Sequence, residues 1–309
     1  MEKTIYIIGH KSPDTDTICS AIAYSEYLKT KGQEAIPARS GDLNPETKYV
    51  LDCFGFEPPI NLDSLKEKTV ILVDHNEKSQ SPEGIEGAKI IEVIDHHKIE
   101  FSSAEPINFQ TKPLGSTATL IAQKLLDDQN FEITKPLAGI LISAILSDTV
   151  IFKSNTSTPT DIELANKLNE IAQIPNLQNF GLEIKKKKSS LEGLTPEQII
   201  YSDFKSFEVN NQKFAIGQVE TVDLSEAKKI EKALFEKINE IKEKESFAFV
   251  VLMLTDIINE GSNLLISSGA DCLEKAFNKE INENSVYLEK MMSRKKDLVP
   301  LVLKALENK

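Results

Sequence analysis

The chain has 309 residues, 40% of them hydrophobic, and carries 48 acidic against 36 basic side chains for a formal charge of -12. That length supports two ordinary domains with sizeable cores, so neither a disulfide nor a metal staple is needed merely to keep it folded. The acidic balance argues against nucleic acid as a partner, because duplex affinity comes largely from lysines and arginines that displace counterions.

Cys19, Cys53 and Cys272 are an odd number without C-x-x-C spacing, which predicts free thiols in a reducing, cytoplasmic setting. The start, MEKTIYIIGH, lacks the apolar core and cleavage site of a signal peptide. The longest apolar run, Phe247 to Leu254, falls well short of the ~20 residues that span a bilayer, so no membrane partner is expected.

In chain order, the first half alternates short apolar runs with amphipathic stretches, which predicts an α/β fold with a parallel sheet flanked by helices. Ile5 to Ile8 is the first strand, and Thr17 to Lys31 follows as a helix with Ile18, Ala21, Ile22 and Leu28 on one face. Glu34 to Ala38, Val70 to Val73 and Ile90 to Ile94 are further strands, the last two apolar enough to be buried on both faces. Helices are predicted from Ser116 to Leu126, from Lys135 to Leu146, and from Thr160 to Ala172 behind Thr160 as cap.

At Ile184 to Gly193 the texture changes to IKKKKSSLEG, read as a solvated connector because charge blocks usually repel and stay hydrated. This gives a first domain of residues 1–185, a linker of 186–193 and a second domain of 194–309. In the latter, Lys213 to Val219 is a strand and Leu224 to Lys244 a long helix, with Ala227, Ile230, Leu234, Ile238 and Ile241 at helical spacing. Phe247 to Leu254 and Leu264 to Ser267 are strands, followed by a short helix from Asp271.

The four histidines, His10, His75, His96 and His97, each sit just past an apolar strand, in YIIGH, ILVDHN and EVIDHH. Ligands of open α/β sheets bind at the carboxyl ends of the strands, so the imidazoles converge on one edge. Asp14, Asp16, Asp74 and Asp95 arrive with them, and Asp148 closes the apolar helix in AILSDT. Acids this close lose their ionisation or destabilise the fold unless a cation neutralises them. Mixed imidazole and carboxylate sets suit manganese, iron, cobalt or zinc. The number of acids predicts two ions, about 3.5–4 Å apart, sharing a carboxylate and a bridging water and suited to attack on phosphorus.

Plainer readings exist for each residue alone. A single Asp-His pair at a strand end is commonplace, Asp14 can serve as a helix cap, Asp95 can orient a neighbouring imidazole, and Asp148 can be an ordinary helix-terminal acid. They fail together, because they require every histidine to reach a strand end by accident.

GHKSPDTDT, VDHNE, VIDHHK, GSTAT and AILSDT, followed far downstream by SRKK, resemble in order and spacing the DHH phosphoesterase superfamily. Within it, MMSRKKDLVP points to the manganese-dependent family II inorganic pyrophosphatases. The resemblance implies an N-terminal DHH domain and a smaller C-terminal α/β domain with a mixed sheet. It implies one manganese ion on His10, Asp14 and Asp74 and another on Asp16, Asp74, His96 and Asp148, with cobalt as a possible substitute. His97, Lys205, Arg294 and Lys295 match phosphate-binding positions, with His97, Lys205 and Arg294 taken as catalytic. The resemblance further implies that pyrophosphate arrives with magnesium and sits between the domains, where a metal-bridged hydroxide attacks it. A homodimer through the N-terminal domains is also implied.

Ser12 stands where the family often has asparagine and Thr17 where serine is usual, which touches loop geometry rather than ligation. With 56 residues between Asp148 and Lys205, there is no room for the inserted nucleotide-sensing domains of some relatives. The alternatives are an exopolyphosphatase, an oligonucleotide-cleaving relative, or a phosphate-binding module without turnover. The absence of a GGGH-type motif, and of any histidine after His97, disfavours the second.

Overall fold

The computed structural model describes residues 4–210, 212–270 and 272–307. The chain divides into two compact units, residues 1–188 and 189–309, each built on its own sheet.

In the first unit, strands β1 (Ile5–Ile8), β2 (Ala35–Arg39), β3 (Ile60–Asn61), β4 (Thr69–Val73), β5 (Lys89–Asp95) and β6 (Asn108–Thr111) lie in the order β3-β2-β1-β4-β5-β6. Every pair is parallel. The apolar run TVILV of β4 is buried at every position, as a strand covered on both faces must be. Ile8, Ala38, Leu65, Val70, Leu72 and Val93 form one core layer. Helix α1 (Thr15–Thr30) is followed by α2 (Pro45–Phe54), α3 (Thr117–Asp127), α4 (Lys135–Asp148), α5 (Pro159–Ala172) and α6 (Leu177–Ser189). The apolar α4 packs against both α1 and α5. The strand order reverses between β1 and β4, which opens a crevice at their carboxyl ends.

The second unit contains α7 (Pro196–Tyr201), β7 (Phe204–Val209), β8 (Gln212–Thr221), α8 (Leu224–Lys229), α9 (Glu231–Lys244), β9 (Val250–Asp256), β10 (Gly261–Ile266), α10 (Cys272–Phe277), β11 (Ser285–Glu289) and α11 (Val299–Glu307). Its mixed sheet runs β11-β10-β9-β8-β7, with β8 and β9 parallel and the remaining pairs antiparallel. The two-residue period of β9 splits it between two cores. Val250, Leu252 and Leu254 meet Leu234, Ile238 and Ile241 of α9, while Val251 and Met253 join Leu298 and Val302.

Four local readings of the sequence are corrected. Helix α1 starts at Thr15 rather than Thr17, because Asp14 Oδ1 accepts the Thr17 N–H at 3.0 Å and lets the chain turn earlier. The cap of α5 is Thr158, not Thr160; its N–H and hydroxyl both donate to Asp161 Oδ2 at 2.7 Å, ahead of Pro159. The run from Leu224 to Lys244 is two helices, since Ile230 leaves helical geometry at φ -113°, ψ 11°. The lysine run is not wholly solvated. Residues through Ser189 are helical, and Lys185 is buried, donating to Ser147 Oγ at 3.0 Å and lying 3.4 Å from Glu46 Oε2.

Candidate active site

The crevice is furnished from strand ends. β1 leads through Gly9 to His10, and a Cβ on Gly9 would lie 2.2 Å from Thr17 Cγ2. Only glycine lets α1 come that close. Its Thr17 hydroxyl donates to Asp74 Oδ2 at 2.7 Å, and from the start of α3 the Thr117 hydroxyl donates to Asp74 Oδ1 at 3.0 Å. Asp74, the first residue after β4, is buried and holds φ +62°, a left-handed conformation that costs on the order of 1 kcal/mol for a non-glycine residue. Asp16, in the first turn of α1, accepts the Thr117 N–H at 2.6 Å and the Ala118 N–H at 2.9 Å from the N-terminus of α3. Helix N-termini favour such negative charge.

Around Asp74 the structure gathers two donor sets. His10, Asp14 and Asp74 form one, and Asp16, Asp74, His96 and Asp148 the other, each with its ligand atoms within 4.8 Å of one another; Asp74, His96 and His97 satisfy the same limit as a third grouping. His10 Nε2 lies 3.7 Å from Asp14 Oδ1 and 3.6 Å from Asp74 Oδ2. His96 Nε2 lies 3.6 Å from both Asp74 Oδ1 and Asp148 Oδ2. These spacings are too long for hydrogen bonds, but they suit neighbours on one ion, since donors about 2.0–2.2 Å from a metal sit roughly 3–3.5 Å or more apart.

His96 supplies an independent test of fit. Its Nδ1 lies 2.9 Å from the Leu114 carbonyl oxygen, which can only accept, so the proton is on Nδ1. Its Nε2 is buried without any hydrogen-bond partner among the described residues. A buried lone pair aimed at two carboxylates calls for a cation. The oxygen and imidazole donors fit manganese.

The ionisation of the cluster carries the same message. Burial, then the charges of Asp74 and Asp14, push the Asp16 carboxyl well above the usual range against the N–H groups of Ala118 and Thr117. Burial, then Asp16, Asp74 and Asp14, do the same to Asp148, opposed by the Lys185 ammonium. Burial pushes His10 down, but Asp14 and Asp74 together lift it up to about 11. Carboxyl groups driven toward neutrality here regain their charge once divalent cations lie among them.

His97 has a different task. Its Nδ1 meets Asp95 Oδ1 at 2.8 Å, and that hydrogen bond, against burial, lifts the imidazole up to about 9. Burial raises the Asp95 carboxyl, but hydrogen bonds from His97 and Asn76 outweigh it and hold it below its ordinary value. Asp95 thus orients a half-exposed imidazole 4.0 Å from Asp74. His75, the fourth histidine, does not join the donor sets; its Nδ1 meets the Val73 carbonyl at 3.1 Å and its Nε2 the Ser81 hydroxyl at 3.2 Å.

Sequence reasoning missed the supports. Thr17 and Thr117 aim Asp74. Asp161 receives the Gly115 N–H at 3.0 Å and the Thr119 hydroxyl at 2.6 Å, fixing the loop before α3. Glu46 accepts from Thr15 Oγ1 at 2.8 Å and from Ser147, tying α1 and α2 to the residue before Asp148.

On the second unit, Lys205 is exposed on β7 and Lys295 is exposed in a π-helical turn, Arg294–Leu298. Arg294 is buried, and its guanidinium is held by Asp203 through NH1 to the main-chain oxygen at 2.6 Å and NH2 to Oδ1 at 2.9 Å. Lys205 pairs in register with Ile216, whose carbonyl oxygen lies 3.4 Å from Arg294 NH1.

The chain matches the DHH family N-terminal domain over residues 4–145 and the DHHA2 domain over residues 182–305. It is 47% identical over 302 residues to the manganese-dependent inorganic pyrophosphatase of Methanocaldococcus jannaschii, covering 96% of this chain and 97% of that protein. It is 41% identical over 305 residues to the manganese-dependent inorganic pyrophosphatase of Methanothrix thermoacetophila, covering 97% of each. Its fold is similar to the crystal structure of a candidate family II inorganic pyrophosphatase from Methanococcus jannaschii, with TM-score 0.64, 46% identity and coverage of 98% of this chain and 100% of that one. The fold alone is shared with an exopolyphosphatase-related protein from Bacteroides fragilis, with TM-score 0.52, 17% identity and coverage of 99% and 92%. With both domains matched and such identity along nearly its whole length, the chain belongs to the manganese-dependent, family II inorganic pyrophosphatases.

Proposed function

We propose that this protein hydrolyses inorganic pyrophosphate to two phosphates. The observation that carries the reading is the pair of donor sets sharing Asp74, together with the partnerless Nε2 of His96. His10, Asp14 and Asp74 hold one manganese ion, and Asp16, Asp74, His96 and Asp148 a second, with cobalt as a substitute and magnesium arriving with the substrate. Bound there, the ions supply a water-derived nucleophile at neutral pH and neutralise phosphoryl charge. Thr17 and Thr117 hold both Asp74 oxygens in place, and Asp95 keeps the His97 imidazole protonated and aimed, so that it donates to a phosphoryl oxygen as charge builds.

Lys205, Arg294 and Lys295 bind the other phosphoryl group, with substrate between the domains and residues 186–193 as the hinge. Pyrophosphate carries three to four negative charges, which suits a planar guanidinium beside ammonium groups. A homodimer through the first unit and a cytoplasmic location complete the proposal. They draw on the family resemblance and, for the location, on three cysteines that form no disulfide. Among the described residues no helix is long and apolar enough to cross a membrane.

The test is phosphate release from pyrophosphate with manganese, with and without a chelator, beside long-chain polyphosphate. The expected result is chelator-sensitive release from pyrophosphate and little from the long chain. A preference for polyphosphate would replace this reading with exopolyphosphatase activity, and tight pyrophosphate binding without release would replace it with a binding module.

A further inference from the structure

Resting on the pyrophosphatase reading, we infer that Asp203 and Gln218 are positioning residues that present one edge of the Arg294 guanidinium to a phosphoryl group. An arginine offers five N–H donors in a rigid plane. NH1 donates to the Asp203 carbonyl at 2.6 Å and to the Ile216 carbonyl at 3.4 Å, and NH2 donates to Asp203 Oδ1 at 2.9 Å. Asp203 therefore grips the end of the fork with its main chain and its carboxylate. The Nε–H and the second NH2 hydrogen lie along the other edge, and neither has a protein partner among the described residues. That edge has the spacing for two oxygens of one phosphoryl group.

The backbone beneath the guanidinium is fixed by Gln218 of β8. Its Oε1 accepts the Arg294 N–H at 3.1 Å, and its Nε2 donates to the Met292 carbonyl at 3.0 Å and Thr255 Oγ1 at 3.1 Å. Its own N–H donates to the Asp203 carbonyl at 2.9 Å, the same oxygen that receives Arg294 NH1. The side-chain amide thus brackets Ser293, the residue before the arginine, while the backbone N–H of the same residue, Gln218, holds the acceptor that grips the guanidinium. Asp203 also leads directly into β7, two residues before Lys205, so the same short segment sets both cations. A surface ion pair needs none of these constraints; a guanidinium that must meet a substrate along one edge needs all of them.

The experiment is a double-mutant cycle on pyrophosphate hydrolysis by the manganese-loaded protein, using Asp203→Ala, Arg294→Ala and the double variant. Asp203→Asn, which keeps the Oδ1 acceptor, serves as the rescue. Asp203→Ala is expected to raise KM about 10-fold with kcat within about 3-fold, as loss of uniform substrate binding does. Asp203→Asn should restore KM to within about 3-fold, and Asp203→Ala should add nothing in the Arg294→Ala background. Gln218→Glu keeps the acceptor for Arg294 N–H but loses the donor to Met292, and should also raise KM selectively if Asp203→Ala fails to fold. Additive effects of Asp203→Ala and Arg294→Ala, or an unchanged KM in both Asp203→Ala and Gln218→Glu, would overturn the inference. A wild-type protein that releases no phosphate would instead overturn the pyrophosphatase reading beneath it.

Discussion

The two units solve opposite electrostatic problems by opposite means. In the first, acids that repel one another are carried on loops at the ends of β1 and β4 and on two helices, so that none is sequence neighbour to all the rest. In the second, a basic turn is compact in sequence; Asp297 braces it from within, its Oδ2 accepting the Ser293 N–H at 2.8 Å, while Asp203 and Gln218 reach it from the β7 and β8 side of the sheet. The difference teaches that an acidic cluster drawn wholly from separated segments leaves its charge for cations to neutralise, whereas a basic turn continuous in sequence finds its partner carboxylate and carbonyls within the fold.

The comparison is broken most severely at Asp74. Asp74→Ala removes a donor common to both sets and the acceptor of two threonine hydroxyls, and a fall in turnover of about 10³-fold or more is expected in a phosphate-release assay. His97→Gln should lower kcat by about 10²-fold or more, the lower range for a lost proton donor, while leaving manganese content unchanged.

Asp95→Asn sharpens the same contrast through pH. The His97 value is raised to about 9 in the metal-free fold, so the stabilisation from its pairing is fully present below its unfolded value of about 6.5 and lost as pH rises through about 9. A metal-free His97 titration followed by NMR should show that value, and Asp95→Asn should return it toward 6.5. Turnover of the loaded variant should fall about 10- to 100-fold, as when an orienting carboxylate is removed.

Lys185→Met strips the buried Glu46 of its cation while leaving the donor sets intact. Breaking such a pair costs about 3 kcal/mol, read as a lowered denaturation midpoint with both manganese ions retained. The smallest effect is at Ser12, exposed at φ +66°. Ser12→Asn, better suited to the left-handed region, should raise stability by less than about 1 kcal/mol.

Much of the first unit was legible because its strands are apolar runs and its histidines follow them directly; the parallel sheet, the crevice and the acids around Asp74 all follow from that pattern. Its supports were not. Thr17 and Thr117 show no periodicity, and a hydroxyl's role depends on which carboxylate folding brings beside it. Lys185 hides among identical neighbours, and its burial is decided by Glu46, far away in sequence. The break at Ile230 was invisible because the apolar spacing continues straight through it. In the second unit SRKK was legible as a motif, but Asp203 and Gln218 meet it only through the pairing of β7 with β8 and the turn before α11.

Manganese stoichiometry tests the shared carboxylate most directly, measured by elemental analysis after dialysis of wild type, Asp14→Asn, Asp148→Asn and Asp74→Asn. The account predicts two ions per chain in wild type, one in each single-set variant and neither firmly held in Asp74→Asn. Two ions retained by Asp74→Asn would contradict it.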